Sequence, residues 1–192
     1  KDSGVDISAG EFFAAMIKER IAKVWPNAAQ EIGCFAGTGM IPPNVDSLNA
    51  STDGTGTKAI ISALAQNFYG IGQDAVAMGA VDIYVDGNLP AFLLDSFDVA
   101  ALDPEKHIAI IDSVIMGCQL AGCQLIGGET AELPDMFRED WMFNLNVMVI
   151  GFPSPELEFT PVKPGQRLIG WPSYGIGSNG FSLVRKVFGI GG

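Results

Sequence analysis

Basic residues are scarce in this chain: 11 Lys and Arg stand against 22 Asp and Glu, a formal net charge of -11 over 192 residues. That deficit argues against a nucleic-acid partner or an anionic membrane surface, because both are held by surplus Lys and Arg neutralising phosphates. A metal-bound, phosphorylated small molecule stays compatible with it. Histidine occurs once, at His107, and cysteine three times, at Cys34, Cys118 and Cys123, with no CxxC spacing. An odd set of thiols in apolar or Gly-rich surroundings gives no disulfide framework and no zinc pattern; the expectation is buried thiols in a reducing cytoplasm. Long apolar runs are missing too. The uncharged stretch 113–128 is too short and too rich in Gly and Gln to cross a bilayer, and no signal peptide is read at the start. What the chain does have is apolar side chains, 48% of its composition, enough for one ordinary domain and part of a second.

Periodicity and punctuation predict a helix over 8–24, with Ser8 as N-cap, Glu11 three residues on, and Pro26 beyond its end. A Gly-rich stretch, 33–39, leads through Pro42 and Pro43 to a short strand over 47–51. Helices are expected over 57–66 and 73–85, a strand over 91–98, a helix from Pro104 to about Leu120, and strands over 125–128 and 141–152. Four prolines between Pro153 and Pro164 place a domain boundary there, giving a first domain over 1–153 and a linker with the start of a second over 154–192. Within the latter, a strand over 167–171 and a helix over 181–188 flank the Gly-rich turn 175–180.

The densest chemistry lies at 51–58, Ser-Thr-Asp-Gly-Thr-Gly-Thr-Lys. Asp53 is suited to a divalent metal, Gly54 and Gly56 allow close approach of the backbone to phosphate oxygens, and Lys58 is suited to neutralising them from the first turn of the next helix. Thr57 before the lysine and Ala59 after it exclude the Walker pattern. The turn Gly175-Ile-Gly-Ser-Asn-Gly180 matches GxGxxG but has no second strand with an acidic residue about twenty positions on. It reads as one phosphate site, formed by backbone N–H groups at a helix start, or as a glycine turn serving packing alone. Asp82, among apolar helix neighbours, is either an exposed carboxylate or a metal ligand. Glu129 and Glu132 follow two glycines at the expected end of a buried strand, with Glu129 the better ligand candidate and Glu132 a solvated or helix-terminal charge. Three carboxylates beside glycines or element ends suit magnesium bridging ATP phosphates. His107 reads as exposed or capping rather than catalytic, and Asp95 is undecided between a site and solvent.

Taken in order, Lys1-Asp-Ser-Gly-Val-Asp-Ile, Asp-Gly-Thr-Gly-Thr-Lys at 53–58, Gly-Gly-Glu-Thr-Ala-Glu-Leu-Pro-Asp-Met at 127–136 and Ser-Asn-Gly-Phe-Ser-Leu-Val-Arg-Lys at 178–186 resemble the aminoimidazole ribonucleotide synthetases, or phosphoribosylformylglycinamidine cyclo-ligases, of purine biosynthesis. The resemblance implies an ATP- and Mg2+-dependent ligase that phosphorylates the formyl oxygen of formylglycinamidine ribonucleotide and closes the imidazole ring. It implies an α/β fold of α+β type: a PurM-like N-terminal domain whose four-stranded sheet, flanked by helices, pairs with a second copy into a barrel in a homodimer. It makes Asp53, Asp82 and Glu129 the metal candidates and Asp53 and Lys58 the catalytic candidates. Lys1, Asp2, Gly33, Phe35, Gly37, Gly54, Gly56 and Lys58 become nucleotide candidates, and Gly177, Ser178, Asn179 and Gly180 substrate-phosphate candidates. Val81, Leu89, Cys34 and Gly177 stand where the family usually has Asn, Glu, often Gly, and His. The second half of the family fold is represented by about one strand and one helix, as in a truncated or naturally short form. Two other readings are a kinase-like member of the same superfamily and a non-catalytic, dimeric nucleotide-binding module.

Overall fold

The computed structural model describes residues 5–27, 36–157 and 161–191. Its first helix, α1 (Ile7–Val24), starts from Asp6, whose carboxylate accepts from the backbone N–H groups of Ser8 at 3.2 Å and Ala9 at 3.3 Å. The cap is thus Asp6 and not Ser8: a carboxylate just ahead of the helix reaches two unsatisfied N–H groups at once, and Ser8 already lies inside the first turn. Then follow β1 (Asn49–Gly54), α2 (Lys58–Ala65), α3 (Ile71–Val85), β2 (Asn88–Val99), α4 (Pro104–Ala121), β3 (Gln124–Glu132), β4 (Phe143–Pro153) and α5 (Phe181–Phe188). α4 begins as its sequence dictates, with Asp103 accepting from Lys106 N–H at 3.3 Å and Pro104 in the first turn. It ends at Gly122, whose φ of 69° lets Cys123 N–H turn back onto the Cys118 carbonyl at 3.0 Å.

The four strands form one sheet in the order β1-β4-β2-β3. β4 is antiparallel to both β1 and β2, while β2 and β3 are parallel, with α4 as the crossover between them. Helices α3 and α4 lie side by side against one face. Glycine sets their separation: a Cβ at Gly72 of α3 would sit 2.7 Å from the Ile110 carbonyl oxygen of α4, and one at Gly79 would sit 2.7 Å from Val149 of β4. Leu93, Phe97 and Val99 of β2 and Leu145, Val147 and Val149 of β4 fill the layer between sheet and helices, all essentially without exposed area. On the other face Phe92, Leu94 and Ile150 are half-buried and Met148 is 46% exposed. Near that face, a Cβ at Gly39 would come within 2.5 Å of the Phe92 ring.

Two strands run further than periodicity predicts. β1 extends to Gly54, so Asp53 lies within the sheet rather than in a loop, and β3 extends to Glu132, so Glu129 is inside a strand rather than beyond its end. Pairing with β4 and β2 supplies the ladder bonds that carry polar residues along. The strand expected over 167–171 is absent; Leu168, Ile169 and Trp171 are 90% exposed or more. A single strand-like segment has no ladder partner here, and propensity alone does not hold it.

Candidate functional site

The 53–58 segment, a loop in its short central turn, joins the end of β1 to the first residue of α2 and is held by local bonds to β4 and to itself. Thr55 N–H donates to the Leu145 carbonyl at 2.9 Å, Lys58 N–H to Thr55 O at 3.3 Å, and Ala59 N–H to Gly56 O at 3.2 Å, with Gly56 at φ 53°. Gly56 is thus a position where a left-handed backbone favours glycine. Gly54 answers a different need, because a Cβ there would overlap the Asn146 side chain. Asp53 uses one carboxylate oxygen to accept from Gly54 N–H at 2.7 Å.

Lys58 is the first residue of α2, and its side chain turns inward. Its Nζ lies 2.7 Å from Asp74 Oδ2 in the first turn of α3 and 5.0 Å from the centre of the Phe181 ring at the start of α5. Only 11% of the lysine side chain is exposed. This contact brings the 177–180 turn beside the loop, since Phe181 directly follows Gly180, the N-cap of α5 at φ 81°. Gly177, Asn179 and Gly180 are exposed and Ser178 is half-buried.

The three carboxylate candidates do not meet. Ser51 and Asp53 oppose Val149 and Val147 on the α3-facing side of the sheet, and Ser51 Oγ donates to Asp82 Oδ2 of α3 at 2.7 Å. Asp53 and Asp82 therefore belong to one seam between β1 and α3. Glu129 lies elsewhere: it is registered with Ser96, Ser96 with Asn146, and Asn146 with Gly54, a row on the opposite face. β1 and β3 are the two edges of the sheet, so three strand spacings, about 14 Å, separate them. Among the described residues, no group of three or more His, Cys, Asp or Glu side chains comes together to hold a metal ion. The nucleotide candidates Lys1, Asp2, Gly33 and Phe35 lie outside the described residues, as does Cys34; Gly37 packs on β3, where a Cβ would sit 2.6 Å from the Ile126 carbonyl oxygen.

Residues whose role the sequence left open acquire definite surroundings. Asp95 points to the helix-covered side of β2, half-buried, and a Cβ on its β3 neighbour Gly128 would overlap its carboxylate. Burial pushes its pKa up to about 7, against the pull of a backbone hydrogen bond and with a further push from Glu129. The only sequence sign of this was the glycine pair 127–128, which leaves space where a side chain would stand. Glu132 is half-buried and serves a helix start: it accepts Asp6 N–H at 2.7 Å and Leu102 N–H at 2.9 Å, tying the start of α1 to the loop before α4. His107 is buried rather than exposed. Its Nδ1 accepts from Asp103 N–H at 3.2 Å and its ring meets Phe97 and Phe68 edge-on, so it does assist the cap of α4, but from inside the core. Burial lowers its pKa to about 4, partly offset by Asp103.

A four-stranded mixed sheet backed by helices on one face, with a Gly-rich loop leaving its edge strand, places this chain in a recognisable class of α/β domain. Escherichia coli HypE, a hydrogenase maturation protein, shares that fold with a TM-score of 0.58 at 19% identity, over 79% of this chain and 45% of HypE. A HypE structure in complex with ATP gives 0.51 at 22% identity, over 65% of this chain and 35% of that one. A family profile described as AIR synthase related protein, N-terminal domain, matches residues 38–152, and the chain belongs to that family. Among curated relatives, the phosphoribosylformylglycinamidine cyclo-ligase of Geotalea uraniireducens (strain Rf4) is 42% identical over 200 aligned positions, 97% of this chain and 55% of the relative. The chain therefore spans about half the length of the curated relatives it matches. No helix among the described residues is long and apolar enough to cross a membrane.

Proposed function

We propose that this chain binds ATP with Mg2+ and serves the cyclisation of formylglycinamidine ribonucleotide to aminoimidazole ribonucleotide. The observation that supports the reading is the Lys58–Phe181 contact, which brings the 53–58 segment beside the residue that follows the 177–180 turn; in this reading the two are separate anion stations. A cyclo-ligase needs two: one for the polyphosphate of ATP and one for the phosphate of the ribonucleotide. The name carried by the Geotalea relative, at 42% identity, supports the same reaction.

In this reading Lys58, with the backbone at Gly54 and Gly56, holds the ATP phosphates, and the N–H groups at the start of α5, with Ser178 and Asn179, hold the substrate phosphate. The formyl oxygen attacks the γ-phosphorus, ADP leaves, an amidine nitrogen adds to the activated carbon, and phosphate departs as the ring closes. Because phosphoryl transfer is mostly positioning and charge neutralisation, a lysine side chain and backbone N–H groups are the kind of chemistry it requires. Asp53 and Asp82 fit Mg2+: hard oxygen donors on one seam, of the kind that binds this ion through one or two carboxylates plus substrate phosphates. Bound there, the ion supplies charge neutralisation at the transferring phosphoryl group. Glu129, on the far edge strand, joins that set only where the sheet edge of a second copy adjoins β1, which belongs to the proposed homodimer. The proposed location is the cytoplasm.

The test is an ATP-dependent ring-closure assay on the purified chain together with calorimetric titration of Mg-ATP. Lys58→Met is expected to lower turnover by about 100-fold, and Glu129→Ala to abolish product. A second reading, nucleotide binding without turnover, is favoured by the separation of Glu129, on the opposite face and edge of the sheet, from Asp53 and Asp82. Mg-ATP binding with no product selects it, and no binding at all removes both readings.

A further inference from the structure

The ammonium of Lys58 is the only charge that the 53–58 loop can offer to an incoming polyanion, and two neighbours already occupy it. Asp74 takes one N–H at 2.7 Å, and the Phe181 ring covers the ammonium at 5.0 Å. The second neighbour is held loosely. No residue of α5 is buried, and Leu183, Val187 and Phe188 are 65–69% exposed. Beyond the helix the chain folds back on α2, where a Cβ at Gly191 would lie 3.1 Å from Ile60 and 3.2 Å from Leu64. Arg185 stabilises that return, its Nε donating to the Ile190 carbonyl at 3.2 Å. α5 is therefore pinned to the flank of α2 at two points, Phe181 and the Ile190–Gly191 return, with little area between them.

We propose that the Phe181 ring, carried on α5, is a latch over the nucleotide loop: when closed it masks Lys58, and polyphosphate binding turns the ring aside and puts phosphate oxygens in its place, while Asp74 keeps the ammonium in place and the backbone at the start of α5 stays beside the loop. This rests on the reading of the 53–58 loop as the ATP-phosphate station and adds its regulation. An ammonium has three N–H groups; Asp74 accepts one, leaving two for phosphate once the ring moves. A cation over an aromatic ring is a weak enough contact to be exchanged for a charged ligand, whereas burial of α5 in the core would not be.

The experiment measures acetylation of Lys58 in the full chain by quantitative mass spectrometry, in the wild type and in Phe181→Ala, with exposed Lys163 as internal reference. ATP affinity is measured in parallel by calorimetry with Mg2+ present. The expected result is several-fold faster acetylation of Lys58 in Phe181→Ala, protection of Lys58 by ATP in both proteins, and an ATP affinity about two- to fivefold higher in the variant. Unchanged acetylation overturns the latch, because Phe181 then masks nothing. Faster acetylation with weaker ATP binding also overturns it, since Phe181 would be part of the ligand site rather than its cover. If neither protein binds ATP while acetylation still rises, the masking of Lys58 stands and the nucleotide reading of the loop is what fails.

Discussion

His107 shows how far one buried side chain can tie stability to pH. Its neutral ring accepts Asp103 N–H and packs edge-on against Phe68 and Phe97, and burial lowers its pKa to about 4 from a usual 6.5. The unfolded chain therefore binds a proton that the folded chain refuses between those values. The stability this group contributes is complete above pH 6.5 and is lost as pH falls through 6.5 towards 4. Asp95 acts in the opposite sense: its pKa is raised to about 7, so its contribution is full below its usual 3.8 and is lost as pH rises to 7. Comparing the wild type with His107→Phe in denaturant melts from pH 7.5 to 4.5 isolates the first effect. The variant is expected to lose less stability on acidification, and parallel curves would count against the buried neutral histidine. Gly128→Ala tests the other side chain. Its new Cβ would meet the Asp95 carboxylate, and we expect a loss of about 1–3 kcal/mol in urea unfolding, as for other overpacked sites.

At the scale of elements, the helical layer depends on how close α3 and α4 can come. Gly72 is the contact that admits least change, because an added Cβ would meet backbone on α4 rather than a side chain that can turn aside. Its N–H and that of Gln73 are both accepted by Ser113 Oγ at 3.1 Å, and Ser113 in turn donates to the Tyr69 carbonyl at 2.5 Å, so a helix start on α3 is capped from the body of α4. Gly72→Ala is expected to destabilise by at least the 1–3 kcal/mol of an overpacked core and to lower the thermal midpoint in a circular-dichroism melt. The same proximity positions the site, since Asp74, the partner of Lys58, is two residues further along α3. The variant should therefore also raise the acetylation rate of Lys58.

For the whole molecule, the unbalanced feature is the sheet. One face is covered by α3 and α4, while the other presents Phe92, Leu94, Met148 and Ile150 with only partial cover among the described residues, between β1 and β3, the edge strands of the described sheet. A two-sided sheet of this kind gains by meeting a second copy, which would cover the apolar side chains and satisfy the edges together. The proposed homodimer predicts a sedimentation mass of twice 20.3 kDa. Met148→Asp should shift that mass towards the monomer while leaving the far-ultraviolet spectrum unchanged; a wild-type chain that sediments as a monomer at micromolar concentration would remove the barrel.

Most helices could be read from local signals that survive without tertiary context: Pro104 after Asp103, Gly122 after the last turn of α4, and apolar spacing along α1 all act within a few residues. The 53–58 loop was legible for the same reason, its glycines, carboxylate and lysine being consecutive. What the sequence by itself determined, then, was the kind of element at each place and the chemistry carried by contiguous residues. Tertiary structure alone decided which distant residues share a space. It extended β1 and β3 through Asp53 and Glu129 by ladder bonds, put those two carboxylates on opposite edges of the sheet, and gave Glu132 and His107 to capping. It also turned Lys58 towards Asp74 and Phe181, 16 and 123 positions away in the chain. Strand register and the direction of a side chain depend on partners far along the chain, and no local pattern in a single sequence encodes them.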